Sequence, residues 1–393
     1  MKMLHILCGG AWGGGSEVVL AITKDLNARG DDVWVVTAND EQTRRFEEAG
    51  ATVMQFGHWS RQIHPRDLFV LFRLFLLCRR ERFDLVATHT AKGGFIGRLA
   101  AKLAGTRHIV HHAHGFAFRE TQGHRTRRFC ALLERIAAHA CSVIISVSED
   151  HRQDALRERV AAAEKIVTIL NGIEVAAFGR TSMQDARRKL GMETGDILIG
   201  VASRLVPRKG LEDLIRAFPQ VHELHPNTRL VLLGEGPIQS DLERQAQGTG
   251  LGDRIHFPGF RRNVPELLAA FDIIAQPSIS EGLSLAILEA MAAGKPLVAC
   301  DIPGNREIIT SGVNGILAPP SDPSALAMAI RSLLDNTAYS RKLGEAAQAD
   351  CRKRFSEERM VRQTLSLYDA LLVGQPILVS EQVDSLQALA AQR

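Results

Sequence analysis

The feature that most constrains this chain is an alternation running from end to end: short apolar runs separated by longer stretches whose apolar residues recur at the helical period. MLHIL, DVWVVT, TVMQF, LVATH, HIVHH and VIISVS read as strands in the first half, and ILIGVAS, RLVLLG, IHFPG, IIAQPS and PLVAC in the second. Stretches between them, such as EVVLAITKDLNARG, carry the 3.6-residue spacing of a helix covering a sheet. Strands that alternate with helices build βαβ units around parallel sheets, so the fold class is α/β with two doubly wound domains. A chain of 393 residues also exceeds what one hydrophobic core usually serves. The polar, Arg-rich stretch from Gly179 to Gly195 separates the two series and places the boundary near 180. The expected organisation is a first domain over 1–180, a second over 181–358, a closing helix over 359–373 that packs back on the first domain, and a tail, 374–393, without a readable signal.

Several classes are excluded by what the chain contains. Its six cysteines form no CxxC pair, which argues against a disulfide framework or a zinc ribbon and for a reducing compartment. The longest apolar run, Leu68 to Cys78, is interrupted by Arg73 and falls far short of a membrane span. The N-terminal MKMLHILCGGAWGGG runs into glycine and reads as a first strand rather than a signal peptide. Residues 61–135 carry fifteen Arg and Lys against five acids. Such a region attracts anions. It lacks the aromatic interleaving and the motifs of a nucleic-acid binder, whereas LFVLFRLFLLCRR mixes basic and apolar residues as an interfacial helix does, so an anionic membrane surface is the expected partner and nucleic acid is not.

In open α/β sheets ligands bind outside the carboxyl ends of the strands. The segments there hold the unusual chemistry: GGAWGGGSE, HTAKGG, HGF and SED in the first half, SRLVPRKG, GEGP, GFRRN, PSISEGLS and CDIPGN in the second. Two such rims facing each other would form a cleft with a substrate on each wall. The glycine run, including Gly14 and Gly15, offers backbone amides ahead of a helix, although it matches neither dinucleotide nor P-loop spacing. Arg204 and Lys209 flank a loop that opens a helix and suit a diphosphate. Glu281 lies in a Ser/Gly loop and Glu289 inside the small-residue helix after it, two carboxylates suited to accept hydrogen bonds from sugar and ribose hydroxyls. His108, His111, His112 and His114 cluster, with His108, His112 and His114 on one side of a strand; a zinc site there lacks nearby acids or cysteines, and His114, next to Gly115 at the strand's carboxyl end, is best placed to face a ligand. No Asp-x-Asp occurs, so no two-carboxylate seat for a divalent metal is expected.

In combination, SRLVPRKG, GEGP, GFRRNV and EGLSLAILEAMAAGKPLV, with its Glu-x7-Glu arrangement, resemble the donor domain of the retaining glycosyltransferases of the GT-B fold, family four. GGGSE, HTAKGGFIGRLAAKLAG, HHAHGFAF, ISVSE and ILNGIE resemble the members that assemble capsule, exopolysaccharide or O-antigen repeats. The likeness spans residues 1 to about 370. It implies that the first domain binds an acceptor, a polyprenyl-diphosphate-linked saccharide, and the second a UDP- or GDP-linked sugar as co-substrate, with no metal or other cofactor. It assigns Arg204 and Lys209 to the donor diphosphate, Glu281 to a sugar hydroxyl and Glu289 to the ribose. Amides at Gly282, Leu283 and Ser284 add contacts, Gly14 and Gly15 touch the diphosphate, and His114 faces the anomeric carbon. Ser284 departs from the family, where glycine or proline is frequent. His89, Thr90 and Lys92 are the implied acceptor residues, Lys92 toward a lipid phosphate. The implied location is cytoplasmic, peripheral on the inner face of the cytoplasmic membrane. A nucleotide-sugar epimerase of the same fold and a non-catalytic nucleotide-sugar-binding subunit are the alternatives.

Overall fold

The computed structural model describes residues 1–7, 12–57, 59, 64–120, 123–192 and 195–376. It divides into two compact units: unit 1 comprises Met1–Asn171 and the segment from Glu358, and unit 2 is Gly172–Glu357.

Unit 1 is a seven-stranded parallel sheet of β1 (Lys2–Ile6), β2 (Asp32–Thr37), β3 (Thr52–Gln55), β4 (Leu85–His89), β5 (His108–Ala113), β6 (Val143–Ser146) and β7 (Ile166–Thr168), in the order β3-β2-β1-β4-β5-β6-β7. Strands buried on both faces explain why their sequences are nearly continuous apolar runs. Period two divides the sheet's side chains between two cores. Leu4, Ile6, Val86, Ile109 and Ile144 pack under the helices Asp67–Glu81, Ala91–Leu103 and His124–Ala138. Met3, Val35, Ala87, Val110 and Ile145 pack on the other face with Val18, Val19 and Ile22 of the helix Gly14–Ala28 and with Met360, Val361 and Tyr368 of the helix Glu357–Leu372.

Unit 2 repeats the plan with β8 (Ile197–Ala202), β9 (Thr228–Leu233), β10 (Ile255–Gly259), β11 (Ile273–Gln276), β12 (Leu297–Cys300) and β13 (Ile316–Ala318), in the order β10-β9-β8-β11-β12-β13. In each sheet the order reverses once, between β1 and β4 and between β8 and β11. Those are the switch points where such folds place ligands.

Eleven of these strands coincide with the apolar runs read from the sequence. The other two, β7 and β13, are edge strands of three residues each, too short to display a period. The unrecognised β7 bears on the boundary: it completes unit 1, after which Ile173 bridges Ser356, and the compact units divide at 171/172. No helix among the described residues is long and apolar enough to cross a membrane.

Candidate functional site

In unit 2 the switch point is built by close backbone approach. The loop after β8 leads through Ser203 and Arg204 to Gly210, whose left-handed φ of 63° and whose position against the Pro277 carbonyl admit only glycine: a Cβ would stand 2.1 Å from that oxygen. Gly234 meets the Ser203 carbonyl in the same way, with a Cβ position 1.9 Å from it. The GEGP motif therefore fixes the loop that carries Arg204, and Gly210 brings the Lys209 loop against the segment after β11. There the Lys209 ammonium donates to the Glu281 carboxylate, both side chains being largely withdrawn from solvent. The residues assigned by sequence to a diphosphate and to a sugar hydroxyl thus meet each other across 72 positions of chain.

Gly282, Leu283 and Ser284 form the turn that follows, and Ser284 caps the helix Leu285–Ala292 by its backbone while its hydroxyl is buried without a hydrogen-bond partner. The first amides of a helix have no intrahelical acceptors and carry the positive end of its dipole, so this turn favours an anion. Gly304 packs against the carbonyls of Glu281 and Gly282 and supports the turn from below. Glu289, half-buried, lies on the same helix, and Arg204 is exposed on its loop.

In unit 1 the helix begins at Gly14, so Gly14 and Gly15, read from the sequence as lying ahead of it, are its first residues. Cys8 to Ala11 of the loop lie outside the described residues. Gly15 lies against the His114 ring: a Cβ there would be 3.3 Å from Cγ. Thr90 joins β4 to the helix Ala91–Leu103 in a left-handed conformation, φ 63°, unusual for a β-branched residue, and its hydroxyl is buried without a partner. Lys92, implied for a lipid phosphate, pairs with Asp67 at 2.6 Å.

His89 is corrected in its role. It was assigned to the acceptor at the rim, yet it is 1% exposed, and both ring nitrogens are taken by other histidines, Nε2 by His5 Nδ1 at 3.0 Å and Nδ1 by His114 Nε2 at 3.1 Å. His112 lies tilted against it, 4.7 Å between ring centroids, and its Nε2 meets the Tyr368 hydroxyl at 2.6 Å. Burial holds all these rings neutral, pushing His5 down to about 3 and His114 to about 4, and His89 and His112 well below the ordinary range. His111 faces the opposite core beside Thr88, and His108 stands at the strand's start. His5 and Tyr368 were not foreseen. Their signal is register: His5 opposes Ala87, His89 opposes His112, and alternation then puts His5, His89, His112 and His114 on one face of the sheet. Among the described residues no group of three or more His, Cys, Asp or Glu is arranged to hold a metal ion.

Comparison with known proteins finds two domains in the same order. The glycosyltransferase family 4 domain matches residues 12–177 and the glycosyl transferases group 1 domain residues 182–350. The chain is 29% identical over 318 residues to UDP-Gal:alpha-D-GlcNAc-diphosphoundecaprenol alpha-1,3-galactosyltransferase of Escherichia coli, covering 79% of this chain and 81% of that protein. It is 31% identical over 316 residues to EpsD of Bacillus subtilis (strain 168), provisionally named a glycosyltransferase, covering 78% and 82%. Among solved structures, Anabaena Alr3699/HepE in complex with UDP superposes with a TM-score of 0.81 at 26% identity, covering 94% of this chain and 100% of that one.

Proposed function

Since this chain belongs to the family-four type glycosyltransferases with the GT-B fold, we propose that it moves a sugar from a UDP- or GDP-linked donor to a polyprenyl-diphosphate-linked saccharide, with retention of configuration, in the assembly of a surface or exported polysaccharide. The observation that carries this reading is the Lys209–Glu281 pair beside the amino end of the helix Leu285–Ala292, at the switch point of unit 2. A cation held next to a carboxylate is a site with two recognition elements. The ammonium, together with Arg204 and the amides at Gly282, Leu283 and Ser284, neutralises a diphosphate, and the carboxylate accepts from a sugar hydroxyl. Glu289 takes the ribose. Support for the substrates comes from relatives: the E. coli protein's name specifies a UDP-galactose donor and a diphosphoundecaprenol-linked acceptor, and HepE holds UDP.

The chemistry follows charge. As the bond from the anomeric carbon to the leaving phosphate oxygen breaks, negative charge grows on the diphosphate and positive charge on the carbon. Arg204, Lys209 and the helix amides stabilise the first more strongly in the transition state than in the ground state. The acceptor hydroxyl attacks from the face the phosphate is leaving, its proton passes to that phosphate, and the products are a glycoside and a nucleoside diphosphate. Neutralisation by side chains and amides removes the need for a metal ion.

Unit 1 is also read as the membrane-facing unit. The helix Asp67–Glu81 buries Val70, Leu74 and Leu77 yet leaves Leu68, Phe69, Phe72 and Leu76 exposed, Leu68 at 73% and Phe69 at 63%. On the same layer Leu103, Phe129, Leu132 and Ile136 are exposed, with Arg125 and Arg128 also turned to solvent. Apolar side chains in such concentration beside cations suit the interface of an anionic leaflet, which is where a polyprenyl diphosphate is found.

The test is a reaction of the purified chain with UDP- and GDP-sugars and undecaprenyl-diphosphate-linked N-acetylglucosamine in vesicles. An α-linked donor should give an α-linked lipid product, read from the anomeric proton coupling. A β-linked product, or epimerised donor without transfer, contradicts the reading.

A further inference from the structure

The family resemblance sets one ring, His114, toward the anomeric carbon and leaves the buried histidines behind it without a task. Their wiring is specific. His5 Nδ1 meets His89 Nε2 at 3.0 Å, and His89 Nδ1 meets His114 Nε2 at 3.1 Å, so each link joins the δ nitrogen of one ring to the ε nitrogen of the next. The two outer nitrogens, His5 Nε2 and His114 Nδ1, are buried with no partner. Each neutral imidazole has one donor and one acceptor nitrogen, and the hydrogen bond at one nitrogen decides the state of the other. Both bonds can therefore be made together in only two ways: all three rings carry the proton on Nε2, or all three carry it on Nδ1. A mixed row leaves a link with two donors or two acceptors.

The two rows are not equivalent. Free imidazole side chains favour the Nε2–H form, so the row with Nε2–H throughout satisfies the intrinsic preference of every ring. In that row His114 Nε2–H donates to His89 Nδ1, His89 Nε2–H donates to His5 Nδ1, and His114 Nδ1 is left as a bare acceptor. This buried nitrogen adjoins Gly15: the Cβ position of Gly15 is 3.6 Å from it, so any side chain there would press on that edge of the ring. His112, 4.7 Å from the His89 ring and bonded to Tyr368, and the Tyr368 helix close the cluster from the sheet's side. Among the described residues no acid is bonded to the row, and burial keeps the rings neutral.

We propose that His5 and His89 are positioning residues that lock His114 as the Nε2–H tautomer, so that its Nδ1 accepts a hydrogen bond from a substrate hydroxyl. The role of His114 at the substrate rests on the function proposed above; the locked tautomer does not. A row fixed two residues deep presents one acceptor in one orientation, and it discriminates against a substrate position that lacks a hydroxyl donor. The effect is selection by hydrogen-bond polarity, paid for in no extra charge inside the unit.

The test uses the full chain with 15N-labelled histidine. In the ligand-free wild type, His114, identified by the signals lost in His114→Gln, should carry its proton on Nε2 and show a pyridine-like Nδ1. His89→Phe keeps ring volume and deletes both links; it should abolish the single tautomer and lower kcat/KM by about tenfold or more. It should still melt in one cooperative transition by tryptophan fluorescence, at a lower temperature because His5 Nδ1 and His114 Nε2 lose their partner, and the rise that UDP or GDP gives should match that of wild type. His89→Asn sets a carbonyl oxygen near the former Nδ1 and should restore the His114 tautomer and most of the rate. A proton on Nδ1 of His114 in the wild type overturns the proposal without any variant, as does wild-type kcat/KM in folded His89→Phe. Failure of the chain to bind or transfer any nucleotide sugar, with the tautomer locked as described, would instead count against the function proposed above.

Discussion

Units 1 and 2 share one architecture, and each braces its core with a buried arginine, Arg98 on Glu134 in unit 1 and Arg187 on Asp272 in unit 2, both at 2.7 Å, but they treat polarity at their switch points in opposite ways. Unit 2 keeps charge there, a lysine set against a glutamate. Unit 1 fills the corresponding region with uncharged rings, His5, His89, His112 and His114, linked to one another and to Tyr368. The contrast shows what each sheet is prepared to meet. Paired charges are ready to be redistributed when an anion arrives. A neutral row offers hydrogen-bond direction without a field.

The strongest way to break this comparison is to remove charge from unit 2. Arg204→Ala or Lys209→Ala should cost about 2 to 5 kcal/mol of transition-state stabilisation, as expected when a charge contact withdrawn from solvent by the bound diphosphate is lost, which is about 30-fold to about 5,000-fold in kcat/KM. Wild-type rates would refute the assignment. All three tryptophans, Trp12, Trp34 and Trp59, belong to unit 1, so the control must read unit 2: hydrogen exchange in β8 and β9 should be unchanged in both variants and separate lost chemistry from lost fold.

Acid should expose unit 1 selectively. A histidine whose folded pKa is lowered binds fewer protons in the folded state than in the unfolded state, so stability rises with pH between the two values. The contribution is complete above about 6.5 and is lost as pH falls toward about 3 for His5 and about 4 for His114. From pH 7 to pH 5 that is about 2 kcal/mol for each such ring. Unit 2 has three histidines, His222, His225 and His256, and all are only half-buried. Denaturant melts followed by tryptophan fluorescence should shift to lower denaturant at pH 5, while hydrogen exchange in β8 and β9 changes less. Equal loss in both units would remove the distinction.

How far the sequence reached follows the same divide. The strands, the glycine loops and the carboxylate helix were legible because each depends on local sequence: short apolar runs, glycines between a strand and a helix, a helix entered from a turn. What was not legible depends on which strands become neighbours. His5 and His89 are 84 residues apart and His112 and Tyr368 256 apart, and nothing in either segment's periodicity names its partner. Lys209 and Glu281 were each recognised, but their pairing needed the adjacency of β8 and β11. His89 was placed at the rim because it ends a strand. It is buried because β1 and β5 flank that strand and supply histidines on the same face.

A smaller effect sharpens the comparison at the surface. The exposed apolar helices of unit 1 should bind vesicles containing anionic lipid at low salt, and Phe69→Ser with Phe129→Ser should weaken sedimentation by about 1.5 kcal/mol or more for each ring removed from the interface. No sedimentation of the wild type would eliminate the membrane-facing reading and leave the donor site untouched.

The central claim is that the charged pair of unit 2 receives a nucleoside diphosphate without an inorganic cation. It is tested most directly by thermal-shift titration of the chain with UDP, GDP and their sugars in excess chelator. The account predicts a saturable rise in melting temperature for one nucleotide series, because a ligand that binds the folded state stabilises it, and loss of that rise in the Arg204→Ala/Lys209→Ala double variant. A rise that appears only when magnesium is added, or that survives in the double variant, would contradict it.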